Sequence, residues 1–127
     1  MLRNFIDRPS NTLSEVGTMV RDGVRAETVE EIIECMKARM RLFIDGYHYP
    51  YDRWYVGVSD NPAERLLRHG IDPKVGPCMS LEAPTAEAAC DAGRYFIETL
   101  GSDGNVQNGG KEARHVYAYK KSLHTKP

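Results

Sequence analysis

The stretch from Arg53 to Gly70 constrains the fold more than any other, because a strand, a capped helix and a helix stop follow one another directly in it. Arg53 to Val58 alternates, placing Trp54, Val56 and Val58 on one face and Tyr55 and Gly57 on the other. Asn61 is a favoured N-cap, Pro62 suits the first helical position, Glu64 stands at the third, and Gly70 is placed to end the helix just after His69. The spacing therefore predicts a two-turn helix over Pro62–His69. A two-faced strand leading straight into a helix points to an α/β domain in which helices cover a small sheet.

The flanking segments fit that plan. Thr28 and Glu31 form a capping box ahead of Val29, Ile32, Ile33, Met36, Met40 and Phe43 at helical spacing, which predicts a long helix ending near Gly46. Its early acids and late bases complement the helix dipole, so these charges need no functional explanation. Residues around Cys78–Glu82 read as a second strand, and Pro77 puts it at a sheet edge. Thr85 caps a further helix to about Leu100, with Ala89, Gly93, Phe96, Ile97 and Leu100 on one face. After the polar loop 101–110, His115–Lys121 alternates as a third strand with His115, Tyr117 and Tyr119 on one side. The expectation is a three-stranded sheet flanked by helices, with residues 1–25 as an arm or short helix and residues 26–127 as one domain.

Composition excludes several classes. A chain of 127 residues with 41% hydrophobic content has the size and apolar share of one globular core. No apolar run approaches the roughly 20 residues that span a bilayer, and Met1–Arg8 lacks a signal-peptide core, so the expected compartment is the cytoplasm. Cys35, Cys78 and Cys90 are odd in number and lack zinc-ligand spacing, which predicts free buried thiols. The net charge of −1 gives no global attraction to polyanions. A local basic patch is offered by Lys111, Arg114, Lys120, Lys121 and Lys126 around Tyr117 and Tyr119, with a solvated surface as the plainer reading.

The segment Tyr55-Val56-Gly57-Val58-Ser59-Asp60-Asn61-Pro62-Ala63-Glu64-Arg65-Leu66-Leu67-Arg68-His69 resembles the second half of the GIY-YIG nuclease signature, in which a Y-[IV]-G strand leads into a helix carrying an arginine. The resemblance implies a GIY-YIG-like core with an added N-terminal helix. It implies that Arg65 holds a scissile phosphate, that Tyr55 helps prepare a water for attack, and that His69 belongs to the same site. It also implies a metal-binding glutamate, with Mg²⁺ or Mn²⁺ as the ion, on the helix after the second strand. The carboxylates there are Glu87, Asp91 and Glu98, on the face away from Ala89. Asn105 matches a family asparagine. No G-[IV]-Y strand precedes Tyr55. Were His115–Tyr119 to pair beside Arg53–Val58, Tyr117 or Tyr119 would supply the absent tyrosine.

Three function classes follow. The first is a nuclease-like domain with impaired catalysis that binds nucleic acid, a nucleotide or a protein through Tyr55, Arg65, Gly57, Ser59, Asn105, Tyr117, Tyr119 and Lys120. The second is an active metal-dependent endonuclease. The third is an unrelated protein-interaction module, because Ser59–Pro62 is ordinary strand-to-helix chemistry. The aromatic loop Tyr47, Tyr49, Tyr51 with Trp54 is open as a stacking platform, a protein interface or core packing. The Gly-rich loop 101–110 lacks the Gly-Lys-Ser/Thr ending of a P-loop. Oligomeric state is left open by the sequence.

Overall fold

The computed structural model describes residues 24–43, 51–107 and 112–127. The arm before Val24, Gly46, Tyr47, His48, Tyr49 and Lys111 lie outside the described residues, and the long helix expected to end near Gly46 ends at Arg41, with Leu42 as its C-cap. In chain order the elements are β1 (Val24–Arg25), α1 (Val29–Arg41), β2 (Trp54–Ser59), α2 (Pro62–Arg68), β3 (Cys78–Glu82), α3 (Ala86–Arg94), β4 (Asp103–Asn105) and β5 (His115–Lys120). A 3₁₀ turn, Tyr51–Arg53, leads into β2, and a π turn, Tyr95–Thr99, extends α3.

The helices begin where their capping chemistry places them. Thr28 accepts a hydrogen bond from the Glu31 amide, while the Glu31 carboxylate reaches back to the Glu27 amide at 2.8 Å. Thr85 caps α3 through the Ala88 amide, and Asn61 caps α2 through the Glu64 amide. At the other end of α2, Gly70 takes φ +92°, and the Gly70 and Ile71 amides donate to the Leu67 and Leu66 carbonyls. That Schellman turn brings Ile71 back against Leu66, and both are buried.

The strands form one sheet in the order β1-β3-β5-β2-β4. β5 runs antiparallel to both β3 and β2, whereas β1 pairs parallel with β3 and β4 parallel with β2. Two expectations are corrected. The sheet has five strands rather than three, since β1 and β4 add short ribbons at its edges. β3 is not an edge strand, because Val24–Arg25 pairs with Leu81–Glu82 outside it. Pro77 stands one residue before β3, and its carbonyl accepts from the Lys120 amide.

Alternation on the strands makes two unlike faces. Trp54, Val56, Val58, Met79, Leu81, Val116 and Ala118 form one core with Ile32, Met36 and Met40 of α1 and Ala89, Ala92 and Phe96 of the α3 segment. Burying each large aliphatic side chain there contributes about 1.5–3 kcal/mol. The aromatic-platform reading is corrected in part by this core: Trp54 is 1% exposed and packs on Phe43, while Tyr51 sits edge-on to Phe96. The opposite face carries Tyr55, Tyr117, Tyr119 and Cys78 under Leu66 and Ile71. Cys35, Cys78 and Cys90 are in no disulfide, and Cys78 alone of the three is buried. Among the described residues no helix is long and apolar enough to cross a membrane.

Candidate functional site

Strand register assembles the candidate site on the second face. Across the sheet Cys78 stands beside Tyr119, Tyr119 beside Tyr55, and Tyr55 beside Asp103. The next row on the same face is Ser80, Tyr117, Gly57 and Asn105, and beyond it lie Glu82, His115 and Ser59. The C-terminal strand thus lies antiparallel against the strand of Tyr55, bringing two further tyrosines to it. The rings of Tyr55 and Tyr119 stack with centroids 5.2 Å apart, and those of Tyr55 and Tyr117 at 6.5 Å.

His69, the C-cap of α2, lays its imidazole over all three tyrosines, with centroids 4.7, 5.7 and 4.8 Å from Tyr55, Tyr117 and Tyr119. Its two nitrogens have different partners. Nδ1 lies 2.6 Å from the Lys126 carbonyl oxygen, and Nε2 lies 2.9 Å from the Tyr117 hydroxyl. One helical turn before His69, the half-buried Arg65 acts electrostatically on that same Tyr117 hydroxyl.

Burial dominates the electrostatics of the three phenols. It pushes Tyr117 up to about 12, with Tyr55 adding to the rise and the charge and hydrogen bond of Arg65 opposing it. Tyr119 is raised by burial, then by Tyr55, Tyr117 and Asp103. Tyr55 is raised by burial and Asp103 against a lowering by Arg65. All three are therefore hydroxyls, not phenolates, at neutral pH, and they act as donors. Tyr55 is the most exposed of them at 8%, against 1% for Tyr117 and none for Tyr119.

The other expected residues occupy different surroundings. Ser59 is buried, and its Oγ accepts from the Asn61 amide, a turn-forming role. Asn105 lies beside Gly57 in the sheet, and its Oδ1 accepts from the Gln107 amide. Lys120 donates to the Phe43 carbonyl at 2.9 Å, tying β5 to the end of α1. Arg114 donates to the Pro84 carbonyl and lies near Glu82, and Lys121 lies 3.6 Å from Asp103. The described part of the basic cluster is thus largely engaged with neighbouring groups rather than gathered into a patch.

Glu87, Asp91 and Glu98 lie on the α3 segment, which packs on the apolar face, away from the tyrosines. Asp91 and Glu98 share Arg94 at 3.1 and 3.9 Å. Their placement is a correction: the helix crosses the sheet on the side opposite Tyr55, so the three carboxylates cannot face it. Among the described residues no group of three or more His, Cys, Asp or Glu side chains could hold a metal ion. The residues described do not fit the metal site that the resemblance implies.

Two participants were not anticipated. Asp103, expected in a loop, is the carboxylate that the sheet brings beside Tyr55, and no sequence signal singled it out from the polar residues around it. The Lys126 carbonyl is a main-chain group and carries no side-chain signature. A groove of about 310 Å³ beside β4 is lined by Arg94, Ile97, Glu98, Gly104, Asn105, Val106 and Gln107, so Asn105 borders it while none of the tyrosines does.

No family model, curated protein or solved structure matches this chain.

Proposed function

We propose that the chain is a GIY-YIG-like domain with impaired catalysis that binds a phosphodiester or phosphate group through Arg65 beside Tyr55. The observation that carries this reading is the convergence of Arg65 and His69 on Tyr117, a tyrosine delivered by the strand lying antiparallel to the Tyr55 strand. That is the position in which the resemblance calls for a second tyrosine. The two residues sit one turn apart on α2, so one short helix presents both to one hydroxyl.

The division of labour follows from the donors. Arg65 acts on Tyr117 through its charge, and the N–H groups of its fork, with the side chain half-buried, suit charge-assisted bonds to a phosphate oxygen. Glu64 is not its partner, since that carboxylate faces Arg68 at 3.5 Å. Tyr55, the most exposed phenol, borders the place where the anion would sit. Impaired catalysis is favoured because the one carboxylate that the sheet register sets beside Tyr55, Asp103, is engaged with Lys121. Nucleic acid is the ligand that the resemblance suggests.

The test is fluorescence anisotropy of a labelled branched DNA at low salt, with wild type and Arg65→Ala compared and supercoiled DNA incubated in parallel with Mg²⁺ or Mn²⁺. Loss of one charge-assisted hydrogen bond of about 1.5–3 kcal/mol weakens binding roughly tenfold or more. Equal binding by the two proteins, or none by wild type, overturns the reading. Metal-dependent cleavage that Arg65→Ala abolishes would replace it with the active endonuclease.

A further inference from the structure

A carbonyl oxygen has no hydrogen to give, so the contact of 2.6 Å between His69 Nδ1 and the Lys126 oxygen requires the hydrogen on Nδ1. In the neutral ring Nε2 is then the acceptor, and the Tyr117 hydroxyl at 2.9 Å is its donor. Tyr119 has two partners within reach, the Lys126 oxygen at 3.2 Å and His69 Nδ1 at 3.3 Å. With Nδ1 already protonated, the Tyr119 hydrogen goes to the carbonyl. One main-chain oxygen therefore orders both side chains.

That oxygen is held in place by the segment around it. The Lys126 amide donates to the His69 carbonyl at 2.8 Å, so the two residues are joined through backbone as well as ring. The preceding residues brace themselves: the Ser122 amide donates to Thr125 Oγ1, the His124 amide to Ser122 Oγ, and Thr125 Oγ1 to the Ser122 carbonyl. Gly70 makes room, since a Cβ there would stand 2.8 Å from the His124 oxygen. Leu123 is fully exposed. Polar contacts to α2, more than apolar burial, hold this strap down, which is the character of a segment that opens locally.

We infer that Ser122–Lys126 is part of the site, and that the Lys126 carbonyl is the positioning group that selects the Nδ1–H tautomer of His69 and so sets the direction of the His69–Tyr117 hydrogen bond. With the strap lifted, Tyr119 is left facing Nδ1 alone and donates to it. The ring hydrogen then resides on Nε2, which donates to the Tyr117 oxygen. No proton is gained or lost in this exchange. The strap thereby decides whether Tyr117 gives a hydrogen to His69 or receives one, and Tyr117 is the hydroxyl on which the Arg65 charge also acts. Only the consequence for phosphate binding rests on the proposed function, because the tautomer is a property of the free protein.

The experiment is long-range ¹H–¹⁵N correlation of histidine-labelled full-length chain at a pH where the ring is neutral, with His69→Gln used to assign the signals. Wild type is expected to show a pyrrole-type Nδ1 and a pyridine-type Nε2. Tyr117→Phe is expected to keep that pattern, whereas deletion of Lys126 and Pro127 moves His69 to the Nε2–H form with the backbone spectrum otherwise retained. An Nε2–H ring in wild type overturns the inference, as does a tautomer change caused by Tyr117→Phe alone or an unchanged tautomer in a folded deletion variant. Should the deletion fail to fold, the wild-type and Tyr117→Phe spectra still decide. DNA is absent throughout, so failure of binding by the tautomer-correct protein would sink the proposed function alone.

Discussion

The hydroxyl of Tyr117 lies across Gly57, only 2.6 Å from where a Cβ on that residue would stand, and the ring carbons Cζ and Cε1 are within 2.9 Å of the same point. The Tyr117 ring therefore leans over β2 through the space that a side chain at position 57 would fill, and its hydroxyl meets His69 at the end of α2 there. Gly57→Ala should push the ring away and cost about 1–3 kcal/mol in denaturant unfolding, as overpacking does. The Arg65-dependent part of DNA binding should fall with it. An alanine variant as stable as wild type would mean that the ring gives way freely.

Tyr117→Phe removes the donor to His69 Nε2 and the hydroxyl on which the Arg65 charge acts, while keeping the ring. With Tyr117 only 1% exposed, the lost partners leave buried polar atoms unsatisfied, and a loss of about 1–3 kcal/mol is expected in urea melts. Tyr95→Phe, on the half-buried π turn of the other layer, provides the comparison and should change stability by less.

Stability should fall steeply in alkali. Tyr117 rises from the ordinary value of 10.0 to about 12 in the folded protein, and Tyr119 and Tyr55 are also raised. The unfolded chain gives up these phenolic protons first, so the unfolded state binds fewer protons above pH 10 and the slope of stability with pH is negative there. The contribution is complete below pH 10 and disappears as pH climbs through about 12. Phenolate absorbance followed together with far-ultraviolet circular dichroism checks this: the buried tyrosines should ionise only as the sheet unfolds.

The carboxylates of the α3 segment should be dispensable for the candidate site. Glu87→Gln, Asp91→Asn and Glu98→Gln together alter exposed groups on the opposite face, so DNA binding should be unchanged. Stability should shift by about 0.5 kcal/mol per site or less, apart from the loss of the Arg94 pairs. A tenfold loss of binding would show that this helix contributes to the site.

Local chemistry explains which parts of this molecule were legible from sequence. The alternation at Trp54–Val58, the Asn61 cap, the stop at Gly70 and the Thr28 and Thr85 caps each depend on residues within a few positions, and each is found where it was read. The pairing of His115–Tyr119 with the Tyr55 strand was expected only on condition, and the register makes it concrete: Tyr119 opposite Tyr55 and Tyr117 opposite Gly57. β4 was hidden because Asp-Gly-Asn is turn chemistry, and it joins the sheet only because Gly104, at φ +151°, brings backbone close to Val56 where a Cβ would collide with the Val56 carbonyl. β1 was hidden because two residues carry no period. The side of the sheet that α3 covers depends on the path of the chain across β5 and β2, which no residue in the helix encodes. The Lys126 oxygen was invisible for a simpler reason, since every residue has one.

The place of β5 also bears on how the molecule comes into being. The strand at the centre of the sheet is the last of the described strands in the chain, and until residues 115–120 are available, β2 and β3 have no common neighbour and the tyrosine face has only Tyr55. During synthesis the earlier segments must wait with two apolar edges unpaired, a state open to pairing with other chains. Sheet closure joins residues far apart in sequence, and such closures are slow. Assembly of the aromatic cluster and completion of the core thus become a single late event, so a nascent chain stopped before His115 has neither.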